Sequence, residues 1–307
     1  MATPAGSPTT VTSISNLVQT AYDQYVRMAL RSIPVMRAIA DVKPNQQAMP
    51  GSSVVFSIYS DLSAATTTLT ETSDVSSIAL GNPSQVTVTL QEYGSAVTTT
   101  KKLNLTSFND VDSALADIIA YNAADSIDSI VASVLTGGTN VIYAGTATTR
   151  ATISATMTIS VADIREAVTQ LRSAKSLPRI GELYAAYLHP RQSADLRAES
   201  GTGGFQELTK YVERTPFVAG AVGVIEGAFV VETPRVPSVA STVTVYQAVI
   251  AGREALAEAQ AQDITTVIGP EIDALRRFRT IGWYYMGGFA RLREASLYRI
   301  ESATSIN

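Results

Sequence analysis

The sequence predicts an α+β fold. Three observations carry that reading: period-two apolar patterns near both ends of residues 51–100, an uninterrupted helical stretch at 108–135, and an alternation of shorter helices and strands beyond Arg150. The 307 residues are 46% hydrophobic, enough for a sizeable core in one large domain or two intimate ones.

Residues 1–15 are rich in Thr, Ser and Pro and read as a loose arm. Ser15 is placed to cap a helix from about Asn16 to Arg31, striped by Leu17, Ala21, Tyr25, Met28 and Leu30. Pro34 interrupts the pattern and Lys43-Pro44 closes it. Val54, Phe56 and Ile58 then alternate with polar residues, as do Val86, Val88 and Leu90. Between these runs, residues 60–85 carry few large apolar groups, which predicts a two-stranded excursion with an irregular tip and arms of roughly 30 Å. An isolated hairpin is marginal in water, so this one needs a surface to lie on.

The stretch 108–135 predicts one long helix of about 40 Å. Asn109 or Asp110 caps it and Gly137-Gly138 ends it. Its apolar residues drift around the axis, so its two ends should meet different partners. Asp117, Tyr121, Asp125 and Asp128 are spaced to share a polar face. Beyond it, Ser160 caps a helix through Ile164, Val168 and Leu171. A strand is expected at 182–188 and a helix at 190–198, then strands at 222–231 and 243–250. A helix or turn at 270–278 precedes a strand-rich close from Arg279 to Ile300.

Charge is distributed unevenly. Residues 44–150 hold three basic side chains (Lys101, Lys102, Arg150) against nine acidic ones, a balance of −6 within a net charge of −4. No basic residue lies between Lys43 and Lys101, so the excursion is acidic throughout, through Asp61, Glu71, Asp74 and Glu92. The layout reads either as a solvated acidic surface or as a loop that docks on a basic patch of an adjacent subunit. Arg276, Arg277, Arg279, Arg291, Arg293 and Arg299 are candidates for that patch. The long helix has neither Lys nor Arg, which argues against gripping nucleic acid.

Chemistry is hard to place on this chain. With no cysteine there is neither a disulfide frame nor a thiolate metal site. His189, the single histidine, stands before Pro190 at a strand end and reads as a capping or core residue. No G-x-S-x-G elbow accompanies it. Gly201, Gly203 and Gly204 lack the Lys-Ser/Thr of a phosphate loop, and Gly220, Gly223 and Gly227 are misspaced for a dinucleotide fingerprint. Carboxylate pairs such as Asp110/Asp112 and Glu271/Asp273 carry no distinguishing pattern. Trp283-Tyr284-Tyr285 reads as a core strand in preference to a stacking surface. No catalytic residue, cofactor or metal is expected. No apolar run reaches the ~20 residues of a membrane span, and the start lacks a signal-peptide layout, so synthesis and assembly in a cytoplasm are expected.

The order of elements resembles the tailed-bacteriophage major capsid proteins of the Hong Kong 97-like fold. Leu69-Thr70-Glu71 is similar to that family's loop motif and Gly138-Thr139-Asn140-Val141-Ile142-Tyr143-Ala144 to its phrase after the long helix. Val161-Ala162-Asp163-Ile164-Arg165, Leu188-His189-Pro190, the run Gly223 to Pro234 and Ile281-Gly282-Trp283 are similar to further family segments.

The resemblance implies an N-terminal arm and helix at 1–50, an extended loop over the neighbouring subunit at 51–100, and a peripheral domain at 101–159 around the spine helix. It implies an axial domain at 160–270, whose tips meet around five- and six-fold axes, and a C-terminal return to the peripheral domain at 271–307. The implied function is an icosahedral shell around double-stranded DNA, built from pentamers and hexamers, located in the virion, without catalysis or a membrane. Asp61, Glu71 and Asp74 would meet Arg276, Arg277 and Arg279 of a neighbour, while Asp117, Asp125 and Asp128 would face the genome. The loop has no lysine, so the Lys–Asn cross-link of some relatives is not expected. About fifteen residues precede the first helix, so scaffolding is expected to be a separate protein, alongside a portal and a cement protein. An encapsulin-type compartment and a Thr-rich surface or tail adhesin are the rival readings.

Overall fold

The computed structural model describes residues 33–44, 52–106 apart from 70, 73 and 76, 111–200, and 223–306 apart from 272. The helix expected at 16–31, the cap at 109 or 110 and the glycine turn at 201–204 lie outside the described residues.

The strands are β1 (Ala40–Pro44), β2 (Ser53–Ile58), β3 (Ser84–Thr89), β4 (Gln91–Thr100), β5 (Val141–Tyr143), β6 (Tyr184–Leu188), β7 (Val224–Ile225), β8 (Ala228–Glu232), β9 (Ser238–Ala240), β10 (Thr244–Ala251), β11 (Leu256–Ile268), β12 (Phe278–Arg291) and β13 (Leu297–Ser302). The helices are α1 (Lys101–Thr106), α2 (Val111–Thr136), α3 (Val161–Ser173) and α4 (Pro190–Ala198). One sheet has the order β1-β11-β12-β4. A second runs β5-β13-β10-β6-β8-β7 with β9 on β10, and β2 pairs β3 alone.

Helix α2 joins the two larger sheets. Its buried residues Leu115, Ile119, Ala123, Ile127, Val131 and Leu135 recur every four positions. At about 100° per residue each step overshoots a full turn by about 40°, so the stripe winds around the helix. Accordingly, Leu115 through Ile127 pack on Ile281, Trp283 and Tyr285 of β12. Val131 and Leu135 pack with Tyr187, Val249 and Leu297 of the second sheet. By length and composition α2 is apolar enough to cross a bilayer, but this winding stripe is spent inside the protein. Trp283 and Tyr285 are buried and Trp283 Nε1 donates to Asn122 Oδ1 at 2.9 Å, so the aromatic run is core.

The second sheet is covered on both faces. Ile164, Val168 and Leu171 of α3 pack on Tyr184, Ala186, Leu188, Ala248 and Ile250, and the α2 end lies on the reverse face. That explains why β6 (Tyr-Ala-Ala-Tyr-Leu) is apolar without alternation. Helix α3 starts on a reciprocal cap: Asp163 N donates to Ser160 Oγ at 3.3 Å and Ser160 N to Asp163 Oδ2 at 2.8 Å. His189 caps α4, with Nδ1 accepting from Arg191 N at 3.2 Å and Pro190 in the first turn. Burial, then the charge of Arg191, lower its pKa and keep the ring neutral. Strands β7 and β8 are joined by Glu226-Gly227, both at positive φ. A Cβ on Gly227 would sit 2.6 Å from Arg172 Nη2.

Two expectations change. Residues 91–100 are not a free arm of the excursion: β4 pairs along its length with β12, so the two-stranded part is only β2 with β3. Strand β11 was not expected at all; it pairs β12 antiparallel and β1 parallel. Of the helix or turn expected at 270–278 the structure has the turn, over residues 273–276 at the tip of the β11–β12 hairpin.

Candidate assembly surfaces

Three surfaces stand out: the anchor of the N-terminal segment, the loop between β2 and β3, and one end of the four-stranded sheet. The anchor holds residues 35–44 against the place where α2, β6 and β11 meet. Met36 and Ile39 are buried there. Met36 N and Arg37 N donate to Asp128 Oδ1 at 2.7 and 3.2 Å, and Tyr187 Oη donates to Val35 O at 3.2 Å. Burial, and then the charge of Asp128, push the Tyr187 hydroxyl up to about 12, so it stays a donor. Arg37 Nη2 reaches the fully buried Glu258 at 2.6 Å, which also accepts from Tyr285 Oη at 2.9 Å. Arg179 Nη1 donates to Asp41 Oδ1 at 2.5 Å, and Asp41 Oδ2 accepts from Glu254 N at 3.0 Å.

Asp128 is therefore 1% exposed and is corrected from genome-facing to internal. The drift of α2 turns it inward, and the main-chain donors of the N-terminal segment need an acceptor there. Arg235 Nη1 lies 3.6 Å from its other oxygen, while Arg235 Nη2 donates to Asp125 and, at 3.0 Å, to Tyr121 Oη. Asp117 is exposed. The expected common acidic face thus breaks into an exposed, a paired and a buried member.

The loop, residues 59–83, forms no strand or helix among its described residues. Asp61, Glu71 and Asp74 are exposed, and so are Tyr59, Leu62, Leu69, Val75, Ile78 and Leu80, with Leu69 at 75%. A solvated acidic loop has no use for six exposed large apolar groups, whereas a docking loop does. Asp61 lines a notch of about 300 Å³ with Lys175, Arg253, Glu254 and Arg293.

The six C-terminal arginines do not form one patch. Arg291 Nη1 donates to Val134 O at 3.0 Å and Arg299 Nη1 to Thr136 O, so two guanidiniums supply the C-terminus of α2 with cations its own last turn lacks. Arg293 pairs with Glu254 at 2.6 Å. Arg299 also lies 2.8 Å from Glu301, which is fully buried and takes hydrogen bonds from Arg150 Nε at 2.8 Å and Gln247 Nε2 at 3.1 Å. Burial would raise the Glu301 pKa, but these donors and charges outweigh it and hold it below the usual carboxylate range.

Arg276, Arg277 and Arg279 do stand together, at the β11–β12 tip. Arg277 pairs with Asp273 at 2.6 Å. The sequence reading missed their neighbours. Lys101 N donates to Arg277 O at 2.8 Å and Thr100 lies opposite Phe278, which brings Lys101 and Lys102 to the same end of the sheet. These are two of the three basic residues in 44–150, a signal visible in the charge layout. Exposed Leu103, Leu105, Ile268 and Leu275 belong to the same two segments, making this end both cationic and apolar.

The family model described as phage capsid protein matches residues 8–306. The chain belongs to that family. Among solved structures, this capsid protein is similar to the capsid of Ralstonia phage GP4, with 16% identity, TM-score 0.74 and coverage of 94% of this chain and 96% of that one. It is also similar to the capsid of cyanophage P-SCSP1u, with 18% identity, TM-score 0.73 and 99% coverage of both chains. The acid-stable capsid of Helicobacter pylori bacteriophage KHP30 shares 15% identity and TM-score 0.75 over 94% of this chain and 97% of that one. A comparison with curated proteins finds no match. The fold is the Hong Kong 97-like fold, and the protein is a non-catalytic subunit of a phage shell. The family match favours neither the encapsulin-type compartment nor the adhesin.

The segment from Gly138 to Ala144 has local physical reasons for its residues. Asn140 Nδ2 donates to Glu294 O at 2.8 Å, and a Cβ on Gly138 would sit 3.0 Å from Glu294 Oε1. The following Val141–Tyr143 then adds β5 to β13.

Proposed function

We propose that this capsid protein assembles by laying the loop between β2 and β3 on the cationic, apolar end of a neighbouring subunit's four-stranded sheet. Complementarity carries the reading: the loop offers Asp61, Glu71 and Asp74 among exposed apolar side chains, and the sheet end offers Lys101, Lys102, Arg276, Arg277 and Arg279 beside Leu103, Leu105 and Leu275. Opposite charges set the register, while burial of Leu62, Leu69, Ile78 and Leu80 supplies most of the free energy, roughly 1.5–3 kcal/mol for each side chain fully covered.

In this reading residues 1–50 form the arm and its anchor, 51–100 the loop and the strand that returns it, and 101–159 the peripheral domain. Residues 160–270 form the axial domain, and 271–307 return to the peripheral domain. Pentamers and hexamers close a shell in the host cytoplasm around double-stranded DNA, with a separate scaffolding protein, a portal and a cement protein as partners. Asp117 and Asp125 face the genome without gripping it.

The test is charge reversal. Glu71→Lys with Asp74→Lys is expected to abolish closed particles while the subunit stays folded by circular dichroism. Adding Arg276→Glu and Arg277→Glu should restore them. Normal particles from the loop double variant would overturn the docking scheme.

A further inference from the structure

Strand β4 lies at the edge of its sheet, and no strand among the described residues pairs with its outer side. It keeps register with β12 over ten pairs, from Gln91↔Gly287 to Thr100↔Phe278, without a bulge. Residues 94–98 (Gly-Ser-Ala-Val-Thr) are all exposed. Soluble proteins protect such an edge with proline, lysine, a bulge or a cover. This one has no proline, no cation and no bulge along its length. A row of unpaired main-chain donors and acceptors of that length is a template for another strand.

We propose that β4 pairs edge to edge with β4 of a second copy, antiparallel across a two-fold axis near Ala96 and Val97, making one eight-stranded sheet from two subunits. Charge selects this occupant. The only ionisable side chain on β4 itself besides Tyr93 is Glu92, near its start, and Lys101 and Lys102 follow directly at its end. Antiparallel pairing about residues 96–97 sets each Glu92 opposite the partner's 100–102 region. Parallel pairing would stack Glu92 on Glu92. Among the described residues Glu92 has the Tyr284 hydroxyl beside it but no cation.

Apolar surface agrees. Val97 pairs with Ile281, so it points to the face that α2 covers, and it remains exposed, as does Ile118 of α2. A two-fold contact brings both pairs together beneath the joined sheet. The inference rests on the chain's being a shell subunit, which supplies the second copy, and it assigns a contact along the free edge of β4 that borders the loop-docking surface at Lys101 and Lys102.

The absence of cysteine permits a direct test. Ser95→Cys, Ala96→Cys, Val97→Cys and Thr98→Cys are introduced singly, particles are purified, mildly oxidised and run on a non-reducing gel. A strand pairing with its own copy brings one position on the axis opposite itself. Disulfide-linked dimers are therefore expected at one or two of the four positions, at least about tenfold above Ser238→Cys on the other sheet. Adding Glu92→Lys should reduce that dimer severalfold. Intact particles without dimer at any of the four positions would overturn the pairing. Dimer unaffected by Glu92→Lys would overturn the charge selection. Failure of the unmodified protein to form particles would instead count against the shell reading.

Discussion

Replacing Asp128 with alanine tests whether the N-terminal segment is held as described. The change removes the acceptor of Met36 N at 2.7 Å and Arg37 N at 3.2 Å. A hydrogen bond to a charged acceptor contributes about 1.5–3 kcal/mol, and a buried donor left alone costs about 1–3 kcal/mol. Arg235 keeps Tyr121 and Asp125 as partners, which holds the total to the lower part of that range, about 3 kcal/mol. Released locally, that corresponds to roughly a hundredfold faster opening of residues 35–44. The assay is amide hydrogen exchange on the unassembled subunit, with β6 and β10 as internal references. Asp128→Asn keeps one acceptor oxygen and should accelerate exchange only about tenfold. Unchanged exchange in the alanine variant, or equal effects of Asn and Ala, would refute the assignment of Asp128 as anchor.

Further predictions concern packing and pH. Leu135→Ala, in a fully buried site, should cost about 2–5 kcal/mol of subunit stability, whereas Leu69→Ala should leave stability unchanged and lower particle yield; thermal melts and particle counts separate the two. The His189 pKa lies below its ordinary 6.5, so the capping contribution is present above that value and is lost as the pH falls from 6.5 through the folded value. His189→Asn caps without titrating and should flatten this part of the stability–pH curve measured by melting. The Glu301 pKa is likewise depressed, so its contribution is lost only below the ordinary carboxylate range, and Glu301→Gln should destabilise the subunit by roughly 3 kcal/mol at neutral pH and less in acid.

Local physics made much of this fold legible. The spacing of apolar residues in 108–135 gave both the helix and its rotation between two cores, because winding depends on nothing beyond the chain. Ser160 and the His189-Pro190 pair marked helix starts for the same reason. Strand β11 escaped because Leu-Ala-Glu-Ala-Gln-Ala-Gln is built of good helix formers, and only pairing with β1 and β12 makes it extended. The division of residues 51–100 was hidden similarly, since Thr- and Ser-rich alternation in β4 suits a free hairpin and a sheet edge equally.

At the surfaces, charge counting found the acidic loop but not the fate of individual charges. Arg291 and Arg299 look like surface cations until the α2 carbonyls are placed beside them, and Asp128 shares a helical period with Asp117 and Asp125 while serving donors more than ninety residues away. Such long-range partners leave no mark on local spacing. Lys101 and Lys102 were visible as isolated cations, yet their meaning came only with the hydrogen bond from Lys101 N to Arg277 O.

Electron microscopy of this protein, expressed alone and together with the scaffolding protein proposed for it, tests the central claim most directly. Closed angular shells, on the order of tens of nanometres across, are the predicted result for a subunit whose loop and sheet ends fit one another. Monomers or open fibres under both conditions would contradict it.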